Sequence, residues 1–118
     1  MYIGHSALRM YAMGKRAFTE KATEDEMVSM ADLVKEALRA GAMGFSSSRA
    51  STHVTPDNTP VASRIAEWEE IDRIVAAMAE LDAGIFQVGP DIASGPAHRA
   101  FLARLRELAL AYRRPVMF

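Results

Sequence analysis

Three stretches of this chain repeat apolar residues at helical spacing, and the segments between them are short, apolar and suited to strands. The clearest helix spans about 24–40, with Met27, Met30, Ala31, Val34, Ala37 and Leu38 on one face and Asp32, Lys35, Glu36 and Arg39 on the other. Thr23-Glu24-Asp25-Glu26 opens it as a capping box, the Thr23 hydroxyl accepting the Glu26 amide proton while the Glu26 side chain reaches back. Three acids in that first turn also favour the positive end of the helix dipole. A second helix, roughly 66–82, places Trp68, Ile71, Ile74, Val75, Met78 and Leu81 together. A third, about 97–112, does the same with Phe101, Leu102, Leu105, Leu108, Ala109 and Tyr112.

Strand candidates sit between and around these helices. Met1 to His5 reads as a short strand, followed by a helical turn or two over Ser6–Met13 that Gly14 closes, and Lys15 to Ala22 reads as a loop. Gly41 can take a left-handed cap conformation at little steric cost, and Met43-Gly44-Phe45 after it is short and apolar enough for a buried strand. Ile85-Phe86-Gln87-Val88 and Pro115-Val116-Met117-Phe118 complete the set. Thr52 to Ser63, with Pro56, Asp57-Asn58 and Pro60, is a long loop, and Gly89 to Pro96 is another. The order is β-loop-α-β-α-β-α-β, which implies parallel strands joined by crossovers of one hand. Two architectures fit that rhythm: a small doubly wound sheet, or about half of an eight-stranded barrel. Strand-like ends at both termini create the expectation of a single α/β segment, residues 1–118, belonging to something longer.

Polar chemistry gathers just past the strand candidates. After Phe45 come Ser46, Ser47, Ser48, Arg49 and, a few residues on, His53, in what the pattern predicts to be a loop. In a βαβ context that is the carboxyl end of the sheet, where α/β proteins bind ligands. His5 stands at the end of the first strand, able to bind a substrate oxygen, to support a metal site or to hydrogen-bond the backbone, and Gln87 lies near the end of the third. Arg9 and Arg49 each follow a strand end, where a guanidinium can clamp a carboxylate through two parallel bonds. Glu67, Glu69, Glu70 and Asp72 make an acidic opening to the second helix, read as dipole compensation and solvation.

Composition removes several classes. The net charge is −1, so no basic field invites nucleic acid or an anionic membrane surface. No apolar run is long enough to span a bilayer, and a cytoplasmic location is the default expectation. The absence of cysteine rules out disulfides, thiolate nucleophiles and thiolate-bound metal. HxH and HExxH spacings, G-x-S-x-G and GxGxxG are missing, so the chain carries no metal, nucleophile-elbow or dinucleotide fingerprint.

One ordered set of strings does carry a resemblance. Gly4-His5-Ser6-Ala7-Leu8-Arg9, then Met13-Gly14, then the acidic helix from Glu26, then Gly41-Ala42-Met43-Gly44-Phe45-Ser46-Ser47-Ser48-Arg49 resemble the N-acyl-D-amino-acid deacylase branch of the amidohydrolase superfamily. The resemblance is specific over the first half and extends to the rest only as α/β rhythm. It implies half of a (β/α)8 TIM-type barrel from a zinc-dependent hydrolase of N-acyl amino acids or related amides. In that branch a metal-activated water is the nucleophile and an aspartate the base. The HxH ligands would precede Met1 and the aspartate would follow Phe118, so no metal is expected in this chain alone. Where the branch carries a metal-ligand histidine, near the end of the third strand, this sequence has Gln87-Val88-Gly89-Pro90-Asp91, which implies a divergent subgroup. On this reading His5, Arg9, Ser46, Ser47, Arg49, His53 and Gln87 are substrate-side residues for a small amide. The remaining half of the barrel, or a second copy, is the expected partner. The alternative is a non-catalytic α/β module that acts by self-association or through a partner.

Overall fold

The computed structural model describes residues 1–91 and 94–118. Four parallel strands, β1 (Tyr2–Gly4), β2 (Gly44–Ser48), β3 (Ile85–Gly89) and β4 (Val116–Met117), form one sheet in the order β1-β2-β3-β4. The helices are α1 (His5–Met13), α2 (Glu24–Arg39), the single turn α3 (Ala62–Ile65), α4 (Trp68–Glu80) and α5 (Pro96–Tyr112).

Register decides which architecture this is. Ile3, Phe45, Phe86 and Val116 align across the sheet in one row, and Gly4, Ser46, Gln87 and Met117 in the next. Successive strand residues point to opposite faces, so these two rows lie on opposite sides of the sheet. The first row packs with Met27, Met30 and Val34 of α2, with Ile71, Ile74 and Met78 of α4, and with Leu105 and Leu108 of α5. Phe45 and Phe86 stack in that layer with ring centroids 5.4 Å apart. The other row, Gly4, Ser46, Gln87 and Met117, takes no part in that helix-packed core among the described residues. A doubly wound sheet reverses its strand order and is covered on both faces. Sequential order with helices on a single face is the arrangement of a (β/α) barrel, here as an open four-stranded section.

Close approach of the backbones makes one glycine necessary. A Cβ on Gly44 would lie 1.9 Å from the Ile85 carbonyl oxygen, so a side chain at that point would prise β2 from β3.

The long helices follow the hydrophobic pattern to within a residue or two. Thr23 Oγ1 accepts from the Glu26 amide at 3.3 Å, and the Thr23 amide donates to Glu26 Oε2 at 2.8 Å, completing the capping box. Three segments differ from the pattern. The serine cluster belongs to β2 rather than to a loop, because Ser46, Ser47 and Ser48 pair in register with Gln87, Val88 and Gly89. Gly14–Phe18 is a 3₁₀ helix, tightened over the buried Ala17. The long loop ends in α3, its tip closed by the Val54–Pro60 bridge. Of the loop expected over Gly89–Pro96, Gly89 extends β3, while Ile92 and Ala93 lie outside the described residues.

Candidate functional site

At the carboxyl ends of β1, β2 and β3 the sheet opens into a cleft of about 420 Å³. Its walls are Gly4 and the first turn of α1, the three serines of β2, and Gln87 and Gly89 of β3, with His53, Val61 and Ser63 of the long loop as its rim. The loop is held there by hydrogen bonds: the Ser63 amide donates to Ser6 Oγ at 3.0 Å, and Arg64 donates to the carbonyls of Ser51 and His53 at 3.1 and 3.3 Å.

A hydrogen-bonded chain of four side chains runs from the cleft into the layer between sheet and helices. His5 Nδ1 lies 2.8 Å from Ser47 Oγ, and His5 Nε2 lies 2.6 Å from Glu70 Oε1. Arg9 donates to the other carboxylate oxygen of Glu70. Arg9 further donates to the Ala17 carbonyl from two nitrogens and to the Glu20 carbonyl at 2.7 Å, so all three guanidinium nitrogens are engaged. His5, Arg9 and Glu70 are each at most 2% exposed. A carboxylate only accepts, so His5 Nε2 carries the proton that bonds Glu70. In the neutral ring Nδ1 then carries a lone pair, and the Ser47 hydroxyl donates to it. Burial holds the His5 imidazole below its ordinary value of 6.5, against the opposing pull of Glu70, so the ring is neutral at neutral pH.

A further serine–histidine pair stands beside the first. Ser48 Oγ is 2.6 Å from His53 Nδ1 and accepts from the Ala50 amide at 3.2 Å. Gly89 packs under this pair, where a Cβ would come within 3.2 Å of Ser48 Oγ. Ser51 donates to Asp91 at 2.8 Å and ties the start of the long loop to the segment after β3.

Of the residues picked out by sequence, His5, Ser46, Ser47, His53 and Gln87 meet in this one cleft. Arg9 does not line it. Its guanidinium is buried behind the wall, and the carboxylate it clamps is Glu70 of this chain. Arg49 also lies off the cleft lining, 5.0 Å over the Trp68 ring, and donates to the Arg64 carbonyl at 3.3 Å. Burial lowers its pKa from the ordinary arginine value, and its Nε has no hydrogen-bond partner among the described residues. Glu70, which the sequence pattern groups with a solvated acidic opening, is instead buried at the centre of this hydrogen-bonded chain. It sits one helical turn before Ile74 on the apolar face of α4, and a carboxylate at such a position is the signal that separates it from its solvated neighbours Glu67 and Glu69.

No protein-family model matches the chain, and no curated protein matches it. Solved structures do. A D-aminoacylase structure concerned with the functional role of its binuclear metal center aligns with 98% of this chain at 24% identity and a TM-score of 0.72. A D-aminoacylase mutant in complex with copper chloride aligns equally well. The chain shares the fold of a section of D-aminoacylase. It spans 22% of the length of that protein, a parallel α/β section of the larger barrel-like structure.

The binuclear center of D-aminoacylase raises the question of metal here. Among the described residues, no group of three or more His, Asp or Glu side chains gathers in a way that could hold an ion. Both nitrogens of His5 are committed, to Ser47 and to Glu70, and His53 is committed to Ser48 through Nδ1. The described donors therefore do not fit a metal center by themselves. Nor is any helix among the described residues long and apolar enough to cross a membrane.

Proposed function

We propose that this chain forms part of the substrate wall of an amidohydrolase that cleaves the amide bond of an N-acyl amino acid or a related C–N bond. The observation that carries the reading is the cleft's position and chemistry. It opens at the carboxyl ends of parallel strands in a D-aminoacylase-like fold, and its lining offers hydroxyl, imidazole and carboxamide groups but no carboxylate. Ser46 and Gln87 face it from the uncovered side of the sheet, where hydroxyl and carboxamide donors suit the acyl oxygen and carboxylate of such a substrate. An acidic lining would repel that carboxylate. Zinc, in this reading, belongs to the larger barrel and is held by residues other than the described ones.

The test is hydrolysis of N-acetyl D- and L-amino acids, with zinc supplied, by the protein that carries these 118 residues. Turnover that Ser46→Ala or Gln87→Ala weakens mainly through KM supports the reading. Turnover indifferent to both substitutions refutes it. A different reading, a non-catalytic module acting by association, draws on the apolar exposure near β4, where Leu110, Met117 and Phe118 are open to solvent. Stoichiometric zinc in the purified protein counts against that module.

A further inference from the structure

The metal-dependent reading gives Ser47 no role beyond lining the substrate cleft, yet its surroundings are those of an activated hydroxyl. We propose that Ser47 is a nucleophile for acyl transfer, with His5 as its general base and Glu70 as the residue that positions His5, acting on small acyl esters. The inference concerns the same cleft but does not depend on amide hydrolysis or on zinc.

Three features carry it. The donor direction along the chain follows for the neutral ring: Glu70 accepts from Arg9 and from His5 Nε2, so Nδ1 is left to accept the Ser47 proton across 2.8 Å. That is the polarity a hydroxyl nucleophile requires, with a base in hydrogen-bond reach and a third group fixing the base. The base is dry and rigid: His5 and Glu70 are 1% and 2% exposed, and the His5 ring packs edge-on to Phe45 at 5.0 Å. Fixed dipoles count for most in such a place. The amino end of α1, a helix of nine residues, opens on the same cleft, with no side-chain cap and no acidic residue in its first turn. Amide protons there lack intrahelical partners and favour a developing oxyanion.

Ser48 is the rival, and its surroundings differ. It accepts from the Ala50 amide, and among the described residues no hydrogen bond links its partner His53, which is exposed, to a carboxylate. Arg9 has a double effect at Ser47: it fixes the Glu70 carboxylate while offsetting part of its negative charge. A leaving group better than an amine, such as a phenol or alcohol, matches a base restrained in this way.

In the step, Ser47 Oγ forms a bond to the ester carbonyl carbon and its proton passes to His5 Nδ1. The carbonyl electron pair moves onto oxygen. As the carbonyl re-forms, the bond to the alkoxy oxygen breaks, and the leaving group takes the proton from Nδ1. The acyl–Ser47 ester is then attacked by water, whose proton goes to Nδ1. Collapse releases the acid and returns a proton to Oγ.

The experiment uses 4-nitrophenyl acetate as the probe on the full chain, with rapid quenching and peptide mass mapping. The expected result is a burst of nitrophenol and one acetyl group per chain, localised by fragmentation to Ser47. Ser47→Ala, with an unchanged circular dichroism spectrum, should lose the label. Glu70→Gln should slow acetylation by roughly 10²-fold, the scale of general-base effects, and should move the inflection of the acetylation pH profile to lower pH. Label on other residues only, acetylation of the alanine variant at the wild-type rate, or no label on the folded wild-type chain overturns the proposal. The wild-type mapping decides the matter even where Glu70→Gln fails to fold.

Discussion

Arg9→Met isolates the energetic role of the buried charge chain. The substitution keeps most of the apolar stem and deletes the guanidinium, which is 0% exposed. Glu70 would then be left buried with His5 as its remaining partner, and the Ala17 and Glu20 carbonyls would lose their arginine donors. Removing one partner from a buried ion pair costs about 3–5 kcal/mol; the carbonyl of buried Ala17 adds about 1 kcal/mol, whereas that of exposed Glu20 can turn to water. The expected loss is about 4–6 kcal/mol, against a whole-domain margin of about 5–15 kcal/mol. Urea unfolding followed by fluorescence is the assay. Trp68 is the single tryptophan, packed 6.0 Å from Phe101 and below Arg49, so its emission reports the fold directly. With a slope of about 2 kcal/mol per molar urea, the midpoint should fall by about 2–3 M. Arg9→Met combined with Glu70→Met removes both charges together and should cost less than the sum of the single changes by about 1.5 kcal/mol or more. An Arg9→Met variant within about 1 kcal/mol of wild type, at unchanged slope, would refute the reasoning.

Other consequences are as direct. His5 is held neutral by burial, its folded pKa below the unfolded value of 6.5, so the unfolded chain takes up the proton first. Stability should be flat above about pH 6.5 and decline as pH falls below it, through the lower folded value. Urea midpoints between about pH 7.5 and 5.5 should trace that decline in wild type and lose most of it in His5→Gln. Gly44→Ala drives a Cβ to 1.9 Å from the Ile85 carbonyl oxygen, and circular dichroism should find the chain largely unfolded; a native spectrum with an unchanged midpoint would contradict the β2–β3 register. The uncovered sheet row and the edges at β1 and β4 should recruit further strands, and sedimentation equilibrium at micromolar concentration should find species above the 12.9 kDa chain mass. A single cooperative monomer would count against the open-barrel account.

What the sequence determined by itself was local. The helices α2 and α4 were readable because their apolar residues recur every three or four positions, and the Thr23–Glu26 box marks where α2 begins from four consecutive residues. Strand alternation with helices was enough to imply a parallel sheet. The same local logic misread the serine cluster: three polar residues in a row resemble a loop, yet pairing with β3 makes them strand, with Ser46 and Ser47 on opposite sides of the sheet. Choosing between a doubly wound sheet and a barrel section needed the strand order, which no periodicity encodes. The candidate site divides in the same way. His5, Ser46, Ser47, His53 and Gln87 could be gathered from sequence because the carboxyl ends of parallel strands lie side by side. Only the tertiary structure could bring Glu70 to His5, 65 positions away in the chain, and commit Arg9 to that carboxylate rather than to the cleft. A residue's surroundings follow from long-range packing, and a buried charge takes the partner that packing places beside it.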